Sequence, residues 1–142
     1  MKRRDSLLRL KRFRVEELKR RLGTLEEMKG DLERKLADLD ESVAREKHRS
    51  GDSDIGRLAF PSFVRSIDVR RDNIRATMKE LEREHAAAEG DLTSAFHDLK
   101  SFEMAEGERV RRIAEAETQA AQSRMDELSI VRHLRKHAFR QI

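Results

Sequence analysis

Apolar residues recur along this chain in alternating steps of three and four, the spacing that gives a helix a single seam for packing against another helix. One series falls on Leu8, Lys11, Val15, Leu18, Leu22, Leu25, Lys29, Leu32, Leu36, Leu39 and Val43, with only the two lysines polar. A second runs Phe60, Val64, Ile67, Arg71, Ile74, Met78, Leu81, His85, Ala88, Leu92, Ala95, Leu99 and Phe102, broken by Arg71 and His85 alone. The pattern predicts two long helices, over about 5–49 and about 60–140. Between them Ser50-Gly51-Asp52-Ser53-Asp54-Ile55-Gly56 is the one stretch dense in turn formers, and Pro61 suits the first turn of a new helix. A turn is expected over about 50–59.

So short a connection makes its flanking helices antiparallel neighbours. If the turn is centred on residue 55, facing positions have numbers that sum to 110, which pairs Val43 with Ile67, Leu36 with Ile74, Leu32 with Met78, Leu25 with His85 and Leu18 with Leu92. Each polar seam residue then meets an apolar one: Lys11 meets Leu99, Lys29 meets Leu81, and Arg71 meets Leu39. The expected fold is all-α, a single coiled-coil domain over 1–142 formed by an antiparallel two-helix hairpin. Its core is expected at Leu18, Leu22, Leu25, Leu32, Leu36, Ile74, Met78, Leu81, Leu92 and Leu99. Flanking charges agree only in part. Arg14 with Asp98, Lys19 with Glu89, Arg21 with Asp91 and Glu33 with Arg75 attract, whereas Glu26 with Glu82 and Asp40 with Asp68 repel. Exposed pairs are worth about 0–1 kcal/mol each, so the apolar layers decide the register.

Past Phe102 the seam dissolves at Glu106, Gly107 and Arg109 and resumes out of phase around Val110, Ile113, Ala120, Leu128 and Val131. The shift falls where the first helix has no residues left to pair. About forty residues of the second helix are expected to overhang, near 60 Å at ~1.5 Å per residue. Gly90-Asp91 could end one helix and cap another. An isolated Gly costs a helix only about 1 kcal/mol, and the seam passes through it unbroken, so one continuous helix is expected.

Composition narrows the class further. Sixty of the 142 residues are charged, 37% are hydrophobic, and the chain has one Pro, no Trp and no Tyr. That is too little apolar material for a large globular core, and it matches long helices. Without Cys there is no disulfide, thiolate metal site or cysteine nucleophile. No apolar run exceeds three residues, so neither a membrane span nor a secretory signal is expected, and the protein should stay in the compartment where it is made.

Charge is polarised along the chain. Residues 1–21 carry ten basic and three acidic side chains, and residues 128–142 carry four basic and none acidic. With a net charge of +4 overall, the middle is left at −7. A basic segment ahead of leucine heptads outlines a basic leucine zipper, but Leu7, Leu8, Leu10, Phe13 and Val15 interrupt the basic segment and no Asn there offers a contact to adenine. A nucleic-acid-binding rod is therefore the weakest alternative, behind a generic coiled-coil scaffold. His133 and His137 share a helical face at metal-ligand spacing with no third ligand downstream, and Glu82-Arg83-Glu84-His85 supplies one Glu-x-x-His where a di-metal bundle needs two. No metal, cofactor or small-molecule substrate is expected. No Gly-rich phosphate loop or nucleophile elbow is present, and a two-helix rod offers no concave pocket, so no catalytic residue is assigned.

Two regions carry apolar bulk that the hairpin does not absorb. Phe60, Phe63, Ile55, Leu58, Val64 and Ile67 crowd the turn, and Phe63 falls off the seam, where it is expected to be exposed as an anchor for another protein. Leu128, Val131, Leu134 and Phe139, with Arg132 and Arg135 among them, form an unpaired stripe near the C-terminus.

The basic opening Met1-Lys-Arg-Arg-Asp-Ser-Leu-Leu-Arg-Leu-Lys-Arg-Phe13, the tip Phe60-Pro-Ser-Phe-Val64, the segment Arg70-Arg-Asp-Asn-Ile74 and the longer second helix together resemble the FliJ family of flagellar type III export proteins. The resemblance covers nearly the whole chain. It implies a helical hairpin like the central stalk of rotary ATP synthases, with no activity of its own. It also implies the partners: the flagellar export ATPase ring, the export-gate membrane protein and export chaperones, met in the cytoplasm at the inner face of the cell membrane. By similarity, the gate-binding patch maps onto Phe63 and Ile67, beside Phe60. The tyrosines that some members carry on the facing helix are missing here. The stripe Leu128, Val131, Arg132, Leu134, Arg135 and Phe139 would then engage the ring.

Overall fold

The computed structural model describes residues 2–140 and is 98% helical. Helix α1 runs Lys2–Ser50 and helix α2 runs Asp54–Arg140, so the connection is only three residues long. The chain divides into two units, the first reaching to His97 and the second beginning at Asp98. Within the first unit α1 and the early part of α2 pack antiparallel.

The turn is much tighter than the 50–59 expected from composition, and α2 begins at Asp54 rather than about 60. Capping explains the difference. The Ser53 hydroxyl accepts from the Gly56 backbone N–H at 3.0 Å, and the Ser53 carbonyl accepts from the Arg57 N–H at 3.1 Å, while Asp54 places a negative charge in the first turn. Residues 54–59 are thereby drawn into the helix. Pro61 consequently lies inside α2, beyond its first turn, and because proline has no N–H the Arg57 carbonyl loses its usual helical donor.

Gly56 makes the tight reversal sterically feasible. A Cβ on it would stand 2.8 Å from the Ser53 hydroxyl oxygen and 3.0 Å from the Ser50 Cα, so the start of α2 sits close against the end of α1. Ser50 is buried there and donates its hydroxyl to the Lys47 carbonyl at 3.1 Å. No residue among those described has positive φ, so the reversal needs no left-handed glycine. Gly90 does not interrupt α2, which passes through it with open space around the glycine.

The seam positions are the ones withdrawn from solvent. Val15, Leu18, Leu25, Ile67, Leu81, Ala88 and Leu99 are buried, and Leu25, Leu81 and Ala88 form a cluster with Leu22 and Leu32 packed against it. Leu36, Ile74, Met78 and Leu92 are half-buried. Packing is therefore tightest where Leu25 meets α2 and looser around Leu36, because a two-helix pair covers each seam residue from one side only.

Two of the polar seam residues also reach charged partners that the layers alone do not predict. Arg71, expected opposite Leu39, donates to Asp40 of α1 at 2.5 Å and to Asp68 of its own helix at 3.1 Å. The two carboxylates expected to repel each other are thus joined through a guanidinium. His85, expected as a core histidine facing Leu25, is only half-buried and lies 3.4 Å from both Glu26 of α1 and Glu89 of α2. Lys29 stands exposed beside a groove of about 450 Å³ between Leu25, Leu81 and His85. Of the expected charge pairs, Arg21 bonds Glu84 instead of Asp91 and Lys19 bonds Glu16 on its own helix.

Candidate functional site

The sequence points to two surfaces, the hairpin tip and the C-terminal stretch of α2, and the structure places them in different units. At the tip, packing against α1 governs exposure. Ile67 sits on the seam and is buried, whereas Phe60 and Phe63 are half-buried. Phe63, expected in the open because it falls off the seam, is thus half-buried. The apolar residues that do stand in solvent at the tip are others: Ile55 at 81% and Leu58 at 82% exposure, with Val69 a further three turns along. In the sequence Ile55 and Leu58 read only as apolar bulk within the expected turn, because nothing in the heptad spacing signals that α2 starts as early as Asp54.

In the second unit every residue from 111 to 140 is exposed. Leu128, Ile130, Val131, Leu134 and Phe139 form an open apolar face, preceded by Met125, Ile113 and Val110. Arg132 and Arg135 lie among them and are equally exposed. The charges divide this stretch in two. Upstream, cations are tied to neighbouring carboxylates: Arg109 to Glu106 at 3.1 Å, Arg111 to Glu108 at 2.6 Å and Arg112 to Glu108 at 3.6 Å. Downstream, Arg132, Arg135, Lys136 and Arg140 make no ion pair among the described residues, because residues 128–140 contain no acid to receive them. An exposed apolar face ringed by uncompensated cations is a surface suited to an acidic, partly apolar partner.

His133 and His137 stack with ring centroids 6.3 Å apart and planes inclined by 14°. Among the described residues no group of three or more His, Cys, Asp or Glu is placed to hold a metal ion. No helix among them is long and apolar enough to cross a membrane. The grooves between α1 and α2 are open and lined by seam and flanking residues such as Leu18, Arg21 and Ala88, or Leu39, Arg70 and Ile74. They are a by-product of pairing only two helices.

Comparison with known proteins adds an independent line. The family model described as Flagellar FliJ protein matches residues 1–138. Two proteins named Flagellar FliJ protein, from Caulobacter vibrioides strain NA1000 / CB15N and from strain ATCC 19089 / CIP 103742 / CB 15, are each 30% identical to this chain over 129 residues. In both cases the match covers 89% of this chain and 91% of the relative. No solved structure matches.

Proposed function

Because the chain belongs to the flagellar FliJ family, we propose that it is a non-enzymatic component of flagellar protein export that couples the export ATPase ring to the membrane export gate and escorts export chaperones. Membership itself ties the protein to the flagellum and its export-related work. The division of labour between its two ends is the proposal. The observation that carries it is the run from Leu128 to Arg140, where exposed apolar side chains and four unpaired cations share one stretch of helix. That stretch engages the ATPase ring through Leu128, Val131, Arg132, Leu134, Arg135 and Phe139. The tip, built on Phe60, Phe63 and Ile67, faces the gate, and no step of chemistry is assigned to any residue.

The test is removal of residues 124–142 from the full-length protein. The shortened chain should keep the melting transition of the hairpin, since the buried seam residues all lie upstream, and it should lose stimulation of the export ATPase. Full stimulation by the shortened chain would overturn the assignment of this end to the ring.

A further inference from the structure

We propose that His133 and His137 form an open two-ligand site for a divalent transition-metal ion such as Zn²⁺ or Ni²⁺, and that the bound ion clips the last turns of α2. The site goes beyond the proposed function and uses none of the residues assigned to the ring or the gate. The two imidazoles stand four positions apart within α2, so they share one face of the helix. Their rings lie nearly parallel, inclined by 14° with centroids 6.3 Å apart. Two ring nitrogens each about 2.1 Å from one ion would bring the ring centres to roughly 5 Å. Both side chains are exposed and make no hydrogen bond or ion pair among the described residues, so a small rotation closes that gap without giving up a polar contact. Water completes the coordination.

Position gives the pair its effect. Every residue from 111 to 140 is exposed, so this stretch buries no side chain that would hold it helical. An ion that bridges residues one turn apart binds the helical form in preference to the open one, and so stabilises that turn by linkage. The pair also lies clear of the apolar face. His133 stands two residues from Val131 and His137 two residues from Phe139, about 200° round the helix in each case. Imidazole nitrogen selects Zn²⁺, Ni²⁺ or Cu²⁺ over Mg²⁺, which prefers oxygen. With no carboxylate side chain between 128 and 140, only nitrogen holds the ion, and Arg132, Lys136 and Arg140 repel it. Binding should therefore tighten as salt screens those cations, the opposite of an ion held by carboxylates.

The experiment titrates the full-length protein with Zn²⁺ and with Ni²⁺ by calorimetry, in a salt whose anion does not bind metal, and follows amide hydrogen exchange over residues 130–140. One ion should bind per chain. With free metal at ten times its Kd, exchange of the amides around 133–137 should slow about ten-fold, and Mg²⁺ should change nothing. His133→Ala and His137→Ala should each weaken binding about ten-fold or more and remove the slowing, while both variants melt as the wild type does because both side chains are exposed. Binding that survives in either single variant, that weakens as salt is added, or that leaves exchange unchanged overturns the proposal. One ion per two chains, with dimers in sedimentation, makes the pair a bridge between copies and overturns the clip as well. None of these readouts involves the export ATPase or the gate, so their failure leaves the proposed function standing.

Discussion

Arg71 of α2 reaches across the helix interface to Asp40 of α1 while its other guanidinium nitrogen holds Asp68, so one seam cation ties three positions together. Two heptads further along α2, His85 approaches Glu26, which lies two heptads back along α1. The same offset recurs at both places. Antiparallel helices shifted by a residue or by a heptad would bring neither pair together, so the two polar breaks in the seam report the register that the leucines establish.

The Arg71 side chain is 20% exposed and that of Asp40 69%, so the pair is solvated on one side and its coupling stays small. Arg71→Met should lower the melting temperature by a few degrees. A double-mutant cycle with Asp40→Asn should return an interaction of about 0.5–1 kcal/mol that shrinks in high salt. A coupling of zero would mean that apolar layers alone hold the register.

Burial ranks the apolar layers. Leu25, 2% exposed and central to the cluster with Leu81 and Ala88, should cost about 2–5 kcal/mol on truncation to Ala. Leu36→Ala should cost less, because its half-buried side chain leaves a notch that water fills. Chemical denaturation of the two variants decides this, and equal losses would contradict the ranking.

The same substitution should act in opposite directions at two glycines. Gly90 lies within α2 with nothing within 4 Å of where a Cβ would stand, so Gly90→Ala should add roughly 0.5–1 kcal/mol of stability. At Gly56 the added methyl would meet the Ser50 backbone and the capping oxygen of Ser53, so Gly56→Ala should lower the melting temperature. Thermal melts of the two single variants give the sign of each effect directly.

The exposed end should respond to charge and not to packing. Arg132→Glu with Arg135→Glu should leave the melting temperature unchanged, since neither cation has an acidic partner among the described residues. In the proposed function the same pair should weaken association with the export ATPase, most clearly at low salt where surface charge is least screened. Binding measured at two salt concentrations checks both halves.

By itself the sequence determined the helices, their antiparallel pairing and the seam, because spacing of three and four in two stretches joined by a glycine- and serine-rich turn leaves few other ways to bury leucine. It also marked residues 128–140 as apolar and basic without an acid to balance them. Other features were decided only by the folded chain. The length of the turn depended on the Ser53 cap and the contact of Gly56 with Ser50, which join residues on either side of the reversal. The ion pairs depended on which of several carboxylates a long side chain could reach. A heptad position places the Cα of Arg71 or His85 on the seam, yet both side chains are long enough to reach Asp40 and Glu26 from it. The exposure of the tip was likewise settled by the fold. Phe63 is half-buried although it lies off the seam, whereas Ile55 and Leu58 are open on the capped first turns of α2.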